Sequence, residues 1–250
     1  MSDSSDKELP LVQHLIELRN RLLRALLVTG LVCACLMPFS SEIYDLISDP
    51  LVAYLPENSS MIATEVASPF LTPFKLTLFA AFVLSVPFIL YQAWAFIAPG
   101  LYRHEKQLAL PILASSVVLF YAGMAFAYFV VFPLVFGFFT SVGPANVAIM
   151  TDISRYLDFV LKLFFAFGVA FEIPIAAIML ILAGVITPDG MAQKRPYVIV
   201  GCFIVGMLLT PPDVISQTLL AVPMWLLFEA GVFFGRILHR RRAEDSDAAS

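Results

Sequence analysis

Six apolar runs separated by polar breaks limit the folds open to this chain more than anything else in it. They cover residues 22–39, 69–98, 108–139, 159–182, 197–209 and 214–234. A helix rises about 1.5 Å per residue and a bilayer's hydrocarbon core is about 30 Å thick. The 18 residues of 22–39 therefore reach about 27 Å and just span, whereas 69–98 and 108–139 exceed one crossing. Those two helices are expected to tilt, protrude or kink, the first of them near Pro87. The last two transmembrane helices are expected to be short: the 13 residues of 197–209 cover only about 20 Å, and a helix that short must thin the bilayer locally or pack deep against neighbours. Irregular backbone cannot face lipid, so the expectation is an all-α integral membrane protein. Its six spans fall at about 22–39, 69–98, 108–139, 156–182, 197–209 and 214–234, within a single membrane domain of residues 1–236. Residues 237–250 are expected as a disordered tail.

Composition agrees. Hydrophobic residues make up 60% of the 250 and charged residues 14%, against roughly 45–50% and about 25% in soluble domains. The cysteines, Cys33, Cys35 and Cys202, all lie inside apolar runs without zinc or disulfide spacing, and read as packing residues. Residues 1–24 are polar, and Leu11, Leu15, Leu18 and Leu22 recur at helical spacing, which predicts a short amphipathic helix on the membrane surface before the first span. A cleaved leader fits poorly, since no small-residue cleavage site follows Pro38.

Six spans place both termini on one side. That side carries Lys7, Arg19, Arg21, Arg24, Arg103, Lys106, Lys194, Arg195, Arg236, Arg240, Arg241 and Arg242. The other side carries only Lys75, Arg155 and Lys162. Twelve against three predicts cytoplasmic termini by the positive-inside rule. The break Trp94–Lys106 is then cytoplasmic too. Pro99-Gly100 interrupts the helix there, aromatic residues flank it, and Arg103-His-Glu-Lys106 follows.

Few residues can carry chemistry. Glu172 sits mid-run, where an ionised carboxylate costs at least about 2.5–3.5 kcal/mol. Pro174 follows and takes the usual donor away from the Ala170 carbonyl. Glu172 reads as a packing lock, a docking point for a polar residue of another membrane helix, or part of a proton relay. Asp213 and Glu229 lie too near span ends to favour the relay. Thr210, Asp213, Ser216 and Gln217 cluster at the turn between the last two runs, where a turn needs polar residues in any case. Glu17 and Glu105 share the cytoplasmic side, each among basic neighbours, and local ion pairs with Arg21 and Lys106 are one reading of them. No zincin motif, nucleophile elbow, phosphate-binding glycine loop or metal cluster is present, and no internal repeat is evident. The residues leave three classes: a protein-translocating receptor, a small-solute or ion transporter, and an intramembrane enzyme, for which no nucleophile and base are visible.

Five motifs, in order, resemble the TatC family: His14-Leu-Ile-Glu-Leu-Arg-Asn-Arg21, Phe96-Ile-Ala-Pro-Gly-Leu-Tyr-Arg-His-Glu105, Phe171-Glu-Ile-Pro174, Lys194-Arg-Pro-Tyr197 and Met207-Leu-Leu-Thr-Pro-Pro-Asp213. TatC proteins are the core receptor subunits of the twin-arginine (Sec-independent) protein translocase. The resemblance runs from about residue 9 to 236 and looks close to proteobacterial members. It implies six transmembrane helices in a concave, glove-like arrangement with both termini cytoplasmic, in the bacterial inner membrane. It also implies binding of the twin-arginine signal peptides of folded cargo, and assembly with TatA and TatB, in multiple copies, for transport driven by the proton gradient. No enzymatic activity, cofactor or nucleic acid is implied. By the same resemblance Glu17, Glu105, Phe96, Arg19 and Pro50 fall at signal-peptide positions, and Glu172, Met207, Leu208, Thr210 and Gln217 at partner-helix positions.

Overall fold

The computed structural model describes residues 5–45, 61–97, 109–135, 137, 151–209 and 214–248. They are almost entirely helical, and they divide into two compact units, one of residues 1–49 and 69–113 and the other of 50–68 and 114–250.

The first unit is built on two long helices. Helix α1 runs without a break from Ser5 to Leu36. The separate surface helix expected before the first span is therefore absent; the amphipathic segment and the span are one helix. Between Pro10 and Gly30 there is no proline or glycine, and the sequence is rich in Leu, Arg and Ala, so nothing stops propagation at the polar–apolar boundary. Pro38 ends α1, and Met37–Phe39 forms a 3-10 turn before residues 40–45 continue helical. Leu22, Leu26, Leu27 and Leu31 of α1 are exposed, as side chains bathed in lipid would be. Helix α2, Ser68–Ile97, continues through both Pro73 and Pro87. The Thr77 hydroxyl donates to the Pro73 carbonyl at 2.9 Å, the back-bond to the preceding turn that threonine makes inside helices.

The second unit opens with the only strand pairing among the described residues, a two-residue parallel ladder of β1 (Met61–Ile62) with β2 (Thr151–Asp152). Asp152 finishes this ladder and caps the next helix. Its Oδ1 accepts from the Arg155 N–H at 3.0 Å, and its Oδ2 accepts from the N–H and hydroxyl of Thr64 at 2.9 and 2.5 Å. The cap explains why helix α4, Ile153–Ala170, starts ahead of the apolar run. Hydrogen bonds from the Thr64 hydroxyl and then the Arg155 and Thr64 amides hold the Asp152 carboxyl down from its usual 3.8 to about 2. A depressed carboxylate stabilises the fold above the unfolded value, and that contribution disappears as pH falls through the folded one. The melting temperature in detergent should therefore drop between about pH 4 and pH 2, and Asp152→Asn should flatten this part of the profile. An unchanged slope in the variant would remove Asp152 from the acid response.

Helix α3, Ala109–Phe126, widens into one π turn at Ala127–Val131 and continues helically to 135. It crosses α4 where both helices lack side chains. A Cβ on Gly123 would lie 2.4 Å from the Phe167 carbonyl oxygen, and one on Gly168 would lie 2.8 Å from the Phe120 ring. Small residues let membrane helices approach closely, and here rings close the gap: Phe126 meets Phe167 and Phe171 at 5.6 and 5.5 Å. Gly123→Ala should destabilise the protein by about 1–3 kcal/mol, because the obstructing atom is backbone and cannot rotate away. Thermal unfolding should show the loss, with Gly30→Ala, which meets nothing within 4 Å, as the neutral control.

The fourth apolar run breaks at Phe171–Glu172 and resumes as α5, Ile173–Leu182, with Pro174 in its first turn. Gly184, at φ 70°, ends α5 in the left-handed conformation, and the Gly184 N–H donates to the Ile181 carbonyl at 3.0 Å. Thr187 caps the five-residue α6, Pro188–Ala192. The short α7, Arg195–Leu209, and the long α8, Val214–Ala248, complete the unit. Ala177, Ile181, Met191, Phe228 and Val232 form its core around the α5–α8 contact. Gly231 lets α8 approach the Pro174 backbone, where a Cβ would lie 2.8 Å from Pro174 Cα.

Among the described residues five helical segments are long and apolar enough to cross a membrane: Val12–Asp45, Ser68–Phe96, Leu110–Val135, Ile153–Leu182 and Gln217–Arg240. The sixth, α7, is shorter, as its apolar run predicts. Helix α8 carries on past residue 237 to Ala248. No proline or glycine follows Gly235, and Arg and Ala favour helix.

Candidate functional site

In the first unit α1 and α2 bring five polar or aromatic residues together. Glu17 and Arg21 stand one turn apart on α1, and Gln92 and Phe96 one turn apart on α2. Arg21 Nε and Nη2 both donate to Glu17 Oε1, at 2.9 and 2.6 Å, and Nη1 donates to Gln92 Oε1 at 3.4 Å. The Phe96 ring stacks on His14 with centroids 4.1 Å apart and an angle of 17°. The Glu17 side chain is 37% exposed and that of Arg21 20%; Gln92 is buried. Beside them lies an almost wholly apolar cavity of about 230 Å³, lined by Leu18, Leu22, Ile89 and Phe96 among others and bordered by Arg21 and Gln92. The group thus offers a partly exposed carboxylate next to an apolar cavity, which suits a ligand that is both cationic and apolar.

The other sequence-predicted residues of this group divide. Arg19 turns away from Glu17 toward Asn20 Oδ1, at 3.4 and 3.2 Å from Nε and Nη2. Glu105 and Pro50 lie outside the described residues. His14 and Gln92 were not predicted as site residues, although Gln92 is the one amide in the second apolar run.

In the second unit the Ser116 hydroxyl of α3 donates to Glu172 Oε2 at the α4–α5 break, and Ser116 is fully buried. Glu172 Oε1 is buried without a hydrogen-bond partner among the described residues. A half-satisfied carboxyl in a membrane interior holds capacity for one more polar contact. Ser116 was also missed, since nothing local distinguishes it from other helix serines.

Helices α7 and α8 form an antiparallel hairpin pinned at both ends. Near its turn the Gly206 backbone meets that of Gln217, where a Cβ would be 3.2 Å from the Gln217 carbonyl oxygen. At the far end Arg195 Nε and Nη2 donate to Glu229 Oε1 and Oε2 at 2.6 and 2.8 Å, and Arg236 Nη2 donates to Asp189 at 3.0 Å. Met207 and Leu208 are exposed beside the turn, at 50% and 74%, and Gln217 is half-buried; Thr210 lies outside the described residues. Among the described residues no cluster of His, Cys, Asp or Glu could hold a metal ion.

A profile of the family described as Sec-independent protein translocase protein (TatC) matches residues 13–223. A protein of that name from Azotobacter chroococcum is 64% identical, over 98% of this chain and 97% of its own. Another from Escherichia coli K12 is 59% identical, over 91% of this chain and 88% of its own. The fold is similar to a crystal structure of the twin arginine translocase receptor TatC, with a TM-score of 0.80 and 38% identity over 90% of this chain and 98% of that one. The apolar helices of the fold and the match across nearly the whole chain agree: the chain belongs to the TatC family of Sec-independent protein translocase proteins.

Proposed function

We propose that this chain is the receptor of a twin-arginine translocase and captures the twin-arginine signal peptides of folded proteins at its cytoplasmic face. The carrying observation is Glu17, a partly exposed carboxylate held beside the Phe96–His14 stack and an apolar cavity. One arginine of the peptide would take Glu17 and the other Glu105, each by charge-assisted bonds that a planar guanidinium makes better than an ammonium. Exposed ion pairs are weak, so apolar contacts to the hydrophobic stretch of the peptide supply the rest of the affinity. Phe96, Arg19 and Pro50 are proposed as further residues that signal-peptide binding depends on.

Partner binding belongs to the other unit. Glu172, Met207, Leu208, Thr210 and Gln217 are proposed to dock the single-span TatA-type and TatB-type subunits, with the second oxygen of Glu172 accepting a polar group from a partner helix. The distribution of lysine and arginine supports an inner-membrane protein with both termini cytoplasmic. No nucleotide site is evident in the sequence, and the proton gradient is proposed as the energy source. The test is complementation. In bacteria lacking their own TatC-type subunit, this chain should restore export of a folded reporter with a twin-arginine signal. Export of the twin-lysine form to the same level would contradict receptor recognition.

A further inference from the structure

We propose that Arg21 is a built-in stand-in for the ligand's arginine: it pairs with Glu17 and must be displaced on capture. The inference rests on the assignment of Glu17 to signal-peptide recognition and concerns how that carboxylate is kept and released. The guanidinium places two donors on Glu17 Oε1, at 2.9 and 2.6 Å. That is the kind of contact a peptide arginine would need, so an incoming guanidinium meets an acceptor already committed to an identical group.

Two features set this pair apart from an ordinary surface staple between successive helix turns. Its arginine is the less exposed partner, 20% against 37% for the glutamate, so the carboxylate faces outward and the stand-in lies behind it. The same guanidinium also reaches a second helix, where Nη1 donates to Gln92 Oε1, an amide only 7% exposed. A guanidinium that gives up Glu17 therefore keeps an acceptor at the edge of the α1–α2 cavity, which Arg21 and Gln92 both border. Without that second acceptor the displaced arginine would lose its only described protein partner. Displacement exchanges one guanidinium for another at Glu17, so an arginine ligand replaces what it removes. A lysine ligand, with a compact ammonium and no planar fork, replaces it poorly. Competition from Arg21 thus lowers affinity for all cationic peptides and penalises lysine most.

The test uses the full chain reconstituted in lipid nanodiscs and a fluorescent peptide with paired arginines ahead of an apolar stretch, with its paired-lysine counterpart. Arg21→Met should tighten the arginine peptide about two- to five-fold, the most that loss of an exposed ion pair allows. It should tighten the lysine peptide at least as much, so that discrimination falls. Arg24→Met, which removes an equal charge one turn along the helix, should gain less, and Arg21→Lys should lie between wild type and Arg21→Met. In a Glu17→Gln background Arg21→Met should bring no further gain, because the competitor has lost its target. Equal effects of Arg21→Met and Arg24→Met would overturn the proposal, leaving only bulk electrostatics. So would loss of binding in Arg21→Met that Arg21→Lys restores, which would make Arg21 a positioning residue for Glu17. If Glu17→Gln itself leaves binding unchanged, the recognition role of Glu17 fails first, and that result is distinct from either outcome at Arg21.

Discussion

Changing Glu17 and Glu105 together to glutamine is expected to abolish detectable capture of twin-arginine peptides, a loss of at least about tenfold, while the protein still inserts and folds. Glutamine keeps the size of the side chain and one acceptor oxygen but removes the charge that makes a guanidinium contact strong. Glu17 is partly exposed, and among the described residues its side chain is bonded only to Arg21, one helix turn away. Such pairs stabilise a helix by only about 0.3–0.5 kcal/mol, so the fold should survive their loss. Peptide crosslinking and thermal unfolding measured on the same preparations separate the two effects. Undiminished crosslinking in a folded double variant would rule out the carboxylate pair.

The second large effect should appear at Glu172. Glu172→Ala is expected to weaken assembly with TatA-type and TatB-type helices by about three- to thirty-fold, the range for one intramembrane polar contact, and to change peptide capture by less than about twofold. The side chain holds one bond from Ser116 and leaves Oε1 without a partner among the described residues. Alanine therefore removes a contact for a partner and also the carboxylate acceptor of the buried Ser116 hydroxyl. Glu172→Gln keeps an acceptor for Ser116 and should fall between. Copurification of partner subunits from membranes gives the first quantity and peptide crosslinking the second. Parallel loss of both would mean that Glu172 holds the fold rather than the partner.

Local physics was legible in the sequence, and long-range pairing was not. Run length predicted six spans with the last two short; α7 is short, whereas Gln217–Arg240 of α8 is long enough to cross. The break at Phe171–Glu172 inside the fourth run was not foreseen, although the ring and missing donor of Pro174 explain it. The Glu17–Arg21 pair was foreseeable because it is one helix turn long. Continuity of α1 was not, since a change from polar to apolar composition marks a change of solvent and not a change of backbone. Gln92 and Ser116 acquire meaning only when a second helix arrives beside them. Arg195–Glu229 depends on how α7 packs along α8, which come into close backbone contact at Gly206 and Gln217, and Arg236–Asp189 on how α8 packs against α5 and α6, with close approach to α5 at Gly231. Glycines with no side-chain signal thus decide which charged groups meet.

The central claim is that the end of the molecule carrying Glu17 and Phe96 captures paired arginines. A photoreactive residue placed in the segment 96–106 of the full chain in membranes tests it most directly. A crosslink to a twin-arginine signal peptide is expected, one that the twin-lysine peptide does not form and that the Glu17→Gln, Glu105→Gln variant loses. Equal crosslinking of both peptides, or crosslinking that survives removal of both carboxylates, would contradict it.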